Sequence, residues 1–70
     1  MNEQLEQLLR SIIHPETNVN IVDSGFVDRA DRGEDGSVAI TLRFQKARDP
    51  FAQKIKRQVA DLMKATFPEN

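Results

Sequence analysis

"SVAITLRFQKARDPFAQKI", residues 37–55, decides how this chain folds. Val38, Ile40, Leu42 and Phe44 alternate with Ser37, Ala39, Thr41, Arg43 and Gln45. That period of two predicts a strand over 37–45, with one core face and one wet face. The run then breaks at a basic cluster, and Asp49-Pro50 opens a different pattern. Aspartate is a good N-cap and proline suits the first helical position, so a helix is expected over 50–66. Phe51, Ile55, Val59, Leu62 and Met63 make its apolar stripe, and Lys54, Arg57, Asp61 and Lys64 its charged face. Pro68 and the terminal Glu69-Asn70 end it.

Upstream, Leu5, Leu8, Leu9, Ile12 and Ile13 fall on one helical stripe, which predicts a helix over 3–13. Asn2 is its N-cap, Glu3 and Glu6 favour its positive end, and Pro15 stops it at His14. Residues 14–24 form an irregular link in which Ile21 and Val22 plug the bottom of the core, and Gly25 marks a bend. "FVDRADR", residues 26–32, is a weakly patterned strand, and "GEDG", residues 33–36, is the turn into the strong one. The expected fold class is therefore α+β. Its order is helix–β-hairpin–helix (α-β-β-α), with both helices on one face of a small antiparallel sheet. An isolated hairpin is marginal without such packing, and both of its strands are edges with unpaired backbone groups. A third strand from a second copy or another protein is expected to complete the sheet.

Seventy residues make a single domain, 1–70, and a chain this short buries only roughly 60% of its unfolded surface. Small domains usually add a staple. With no cysteine, disulfides and thiolate metal sites are excluded, which leaves association. There is no signal-like or spanning apolar run, so no membrane partner is expected and the location is read as cytoplasmic. The formal charge of −1 hides an asymmetry. Residues 1–36 carry eight acids and three bases, a sum of −5, while residues 43–64 carry seven bases and two acids, a sum of +5. Such a distribution serves a solvated face, an acidic partner, or pairing between the two halves of different copies.

The inventory for catalysis is thin. There is no phosphate-cradling GxxxxGK[ST], no GxGxxG, and no serine in a nucleophile-elbow context, so an enzyme is not expected. Nor is nucleic acid expected as a partner, because tyrosine and tryptophan are absent and the pI is near 5.7. His14 reads most simply as an exposed residue at a helix C-terminus. Its functional alternative is a metal ligand with Glu16 and Asp49, a mixed nitrogen and oxygen set suited to iron or zinc. No cofactor is expected.

The run "HPETNVNIVDSGFV", residues 14–27, resembles the D-P-E … [IV]-V-D-x-G-[LF]-V signature of the small metal–sulfur cluster assembly domain. Pro15, Glu16, Val22, Asp23, Gly25, Phe26 and Val27 match it in order. The strand at 37–45 lies where that family has a V-x-[VI]-x-[LM]-x-[LF] strand. "ARDPFAQKI", residues 47–55, stands where it has P-G-C-P opening its last helix, with Pro50 matching. The domain occurs in SufT-like and PaaD-like proteins and in front of Mrp/ApbC-type P-loop ATPases, and the D-P-F junction looks most like the ATPase-fused form. The resemblance implies an accessory or targeting role in maturing iron–sulfur proteins. It also implies a further strand after the last helix, so the chain reads as truncated before it.

Two departures qualify that likeness. His14 replaces the first acid of D-P-E, and Asp49 stands where relatives carry the cysteine. Thiolates are the usual ligands of such clusters. The expectation is thus a non-enzymatic adaptor, without a cysteine cluster ligand, acting through protein–protein contact. Its partners would be iron–sulfur assembly proteins or an Mrp/ApbC-like ATPase, and its surface would be Pro15, Glu16, Asp23, Gly25, Arg48, Asp49 and Pro50. The alternatives are a structural homodimerisation module with no metal role and a small metal-binding protein using His14, Glu16 and Asp49.

Overall fold

In the computed structural model, residues 2–68 are described. Asn2 starts the first helix as expected: its side-chain Oδ1 accepts the Leu5 N–H at 3.1 Å. Helix α1 covers Glu3–Leu9, shorter than the apolar stripe suggested. The Ser11 and Ile12 N–H groups reach back three residues to Leu8 and Leu9, which tightens the last turn. The Ser11 hydroxyl also donates to the Leu8 carbonyl at 2.7 Å. Ile12 still enters the core, but Ile13 lies outside the helix, 48% exposed, in a bridge with Asn20.

Strand β1 (Val27–Arg32) pairs antiparallel with β2 (Val38–Leu42) in a two-stranded sheet. The weak pattern of β1 has a specific cause. Val27 pairs with Leu42 and Arg29 with Thr41, so Asp28 is an extra residue in a β-bulge. A regular strand would put Val27 and Ala30 on opposite faces. The bulge brings both onto the face of Leu42 and Ile40, where Ala30 is fully buried. The hairpin turn holds Gly36 at φ +88°, left-handed backbone that favours glycine. Regular pairing in β2 stops at Leu42 rather than Gln45, although Phe44 still packs on the core.

Helix α2 covers Ala52–Thr66, not 50–66. Its N-cap position is Phe51, with no side-chain cap bond, so Asp49 is not the N-cap and Pro50 is not helical. Asp49 instead shapes the turn just ahead: its Oδ1 accepts the Phe51 N–H at 2.8 Å and its carbonyl accepts the Ala52 N–H at 3.1 Å. The expected stop at Glu69-Asn70 lies outside the described residues.

Both helices lie on the apolar face of the hairpin, and the core joins Leu5, Leu9 and Ile12 to Ile55 and Val59 of α2. Ile21, Phe26 and Ala30 complete it. Val22, paired with Ile21 in the sequence reading, is only half-buried. Among the described residues no helix is long and apolar enough to cross a membrane.

Candidate functional site

The irregular link and the α2 junction meet at one buried polar pair. His14 is 1% exposed, not the exposed helix-end residue its sequence position suggested. The reason is tertiary. The chain leaves α1 extended at Ile13, and the His14 ring sits between Phe26, 4.9 Å away, and Phe51, edge-on at 5.5 Å. These two aromatic rings come from the residue just ahead of β1 and from the N-cap of α2, distant segments that sequence periodicity does not connect.

Both imidazole nitrogens are committed. The Glu16 backbone N–H donates to Nδ1 at 3.1 Å, which leaves the ring proton on Nε2. Nε2–H in turn donates to Asp49 Oδ2 at 2.9 Å. The Asp49 side chain is only 4% exposed, and its other oxygen holds the Phe51 N–H. Burial, the largest single influence, pushes the Asp49 carboxyl up. The bonds from Phe51 and His14, helped by the nearby Lys46 charge, outweigh it and hold the group below the usual carboxylate range.

Lys46 forms an ion pair with Glu16 over a hollow of about 50 Å³ lined also by His14, Thr17, Phe26, Gln45 and Asp49. The hydrogen bond and then the charge of Glu16 raise the Lys46 ammonium above its usual value. Sequence reading placed Lys46 only within a basic cluster. Nothing in its spacing to Glu16, thirty residues away, announces the pairing.

His14, Glu16 and Asp49 are therefore brought together, with Pro15, Arg48 and Pro50 exposed around them. Asp23 belongs to another set of contacts, with Asn20 at 2.9 Å and Arg10 at 3.6 Å. Gly25 is exposed at φ +80°. Among the described residues no three His, Cys, Asp or Glu side chains are grouped to hold a metal ion. The donor set also does not fit a thiolate-ligated cluster, because the chain has no cysteine.

A family model described as "Iron-sulfur cluster assembly protein" matches residues 2–70, almost the entire length. The chain belongs to this iron–sulfur cluster assembly family. The crystal structure of a domain of unknown function, DUF59, from Bacillus anthracis is similar in fold, with a TM-score of 0.84 and 29% identity. The match covers 94% of this chain and 62% of that one, so the iron–sulfur assembly domain spans under two thirds of that neighbour's length. No curated protein matches the chain.

The buried carboxylate gives this assembly domain an acid response whose sign is fixed. A folded-state value below the unfolded one adds stability above the ordinary aspartate range, and that stability is lost as pH falls through the folded value. Wild type should therefore lose melting temperature more steeply below about pH 4 than Asp49→Asn. Asp35, lowered by backbone and side-chain bonds from Ser37, is present in both proteins and cancels. A gap between the two melting curves that stays constant from neutral to strongly acidic pH would refute this role for Asp49.

Proposed function

We propose that the chain is a non-enzymatic accessory domain of iron–sulfur cluster assembly, working as an adaptor through protein–protein contact without a cysteine ligand. The observation that supports this best is the state of Asp49. At the junction where the resemblance places a cysteine, this chain has a carboxylate that is 4% exposed and bonded on both oxygens. Such a group holds two loops together, and it leaves neither oxygen open to a cluster. The exposed residues around it, Pro15, Glu16, Arg48 and Pro50, then form a rigid platform for docking. The partners are iron–sulfur assembly proteins, with an Mrp/ApbC-type ATPase as the first candidate because of the D-P-F junction. A second copy or a strand-bearing protein completes the sheet.

Affinity capture from a native lysate tests the adaptor reading. It should recover iron–sulfur assembly proteins or an Mrp/ApbC-type ATPase, and Arg48→Glu should weaken that capture without lowering the melting temperature. Recovery of only the chain itself would refute the reading. Anaerobic titration with iron should show no binding tighter than millimolar. Tight binding lost in both His14→Ala and Asp49→Asn would favour a metal-binding protein instead.

A further inference from the structure

The two edges of the hairpin are not alike. β1 is protected in several ways that edge strands commonly use: it carries Asp28, Arg29, Asp31 and Arg32, and it is bulged at Asp28. Its outer edge is also covered, since the Asn2 backbone N–H donates to the Ala30 carbonyl at 2.8 Å. β2 has none of these devices. Its sequence, VAITL, contains no charge, no proline and no bulge. Gly33 N–H donates to the Ser37 carbonyl and Arg43 N–H to the Phe26 carbonyl, so the odd-numbered residues of this stretch turn their backbone groups toward β1. Those of Val38, Ile40 and Leu42 turn outward, and among the described residues no hydrogen bond reaches them. Beside this edge runs an apolar cleft of about 440 Å³ between β2 and α2, lined by Val38, Ile40, Val59, Met63 and Phe67.

The charges flanking β2 select what fits there. Glu34 and Asp35 precede it, while Arg43, Lys46 and Arg48 follow it. A parallel neighbour of the same sequence would set acid against acid and base against base. An antiparallel one sets the acidic turn of each copy beside the basic end of the other. We infer that the open edge of β2 pairs antiparallel with β2 of a second copy, about a two-fold axis at Ile40, to give a continuous four-stranded sheet. In that register Val38, Ile40 and Leu42 exchange backbone hydrogen bonds with Leu42, Ile40 and Val38 of the other copy. Arg43 then lies diagonal to the other copy's Asp35, within reach for a cross-strand charge pair.

The inference rests on the sheet-completion part of the reading above. A chain that stays monomeric yet still captures assembly proteins overturns this inference alone. Sedimentation of the 70-residue chain from micromolar to millimolar concentration should show a monomer–dimer equilibrium. Hydrogen exchange at the Val38, Ile40 and Leu42 amides should slow as the dimer forms. Val38→Pro removes an outward N–H without touching the β1 ladder and should weaken the dimer at least about tenfold. Asp35→Lys and Arg43→Glu should each weaken it by about two- to fivefold, and mixing the two variants should restore association as a heterodimer. The mixing result stands even if Val38→Pro fails to fold. A monomer at all concentrations, β2 amides protected in a monomer, or no gain on mixing would each overturn the proposal.

Discussion

Replacing His14 by alanine is expected to lower the melting temperature by roughly 8–32 °C. The figure follows from deleting a buried ring and the bonds it makes, about 2–4 kcal/mol, at about 4–8 °C per kcal/mol for a domain of this size. The whole domain has only about 4–10 kcal/mol to lose. The ring is 1% exposed, packs against Phe26 and Phe51, and joins the Glu16 N–H to Asp49. Without it the Glu16 amide and one Asp49 oxygen lose their partner in a place that water reaches poorly. His14→Phe separates packing from bonding, because it fills the space and leaves both polar groups orphaned. It should fall between wild type and alanine. Thermal melts of the three proteins decide the matter, and a loss under a few degrees for His14→Ala would mean that the pair is incidental to the fold.

The sequence groups His14 with Asp49 only as an alternative metal set, and the simpler expectation of an exposed helix end misses the buried pair. The parts set by local chemistry were legible: the Asn2 cap, the Leu5–Leu9 stripe, the alternation of Val38, Ile40 and Leu42, and the Ile55–Val59 face of α2. What failed depended on contacts between distant segments. His14 follows an apolar stripe and precedes Pro15, so local rules made it an exposed helix end. Its burial depends on Phe26 and Phe51, which reach it only after the chain has folded back. β1 was hard to read because one extra residue, Asp28, breaks the period on which any strand assignment depends. At Asp49-Pro50 the local preferences marked the junction but gave the wrong cap and a helix start two residues early, since Phe51 is the N-cap and Ala52 the first helical residue. Asp49 spends one oxygen on the Phe51 N–H, but the other goes to His14, an alliance across 35 residues.

The same dependence gives Phe26 the largest expected effect of any single side chain near the site. Phe26 is 4% exposed and stands at a crossing, tilted against His14 at 4.9 Å and against Phe44 at 5.6 Å. Its carbonyl also accepts the Arg43 N–H at 2.7 Å, which fastens the end of the hairpin beside the site. Phe26→Ala should cost about 3–5 kcal/mol, enough to leave much of the protein unfolded near 37 °C. Phe26→Leu keeps most of the volume and should remain folded, so it is the variant for quantitative work. Urea denaturation of Phe26→Leu, His14→Phe and the double variant forms a cycle. The two side chains touch, so their effects should depart from additivity by about 0.5–3 kcal/mol. Additive losses would mean that the aromatic wall and the buried pair stabilise the domain independently. Coupled losses would mean that the wall fixes the position of the pair. The exposed platform over Pro15, Glu16 and Arg48 would then owe its shape to Phe26, and folded Phe26→Leu should bind assembly partners more weakly than its stability alone accounts for.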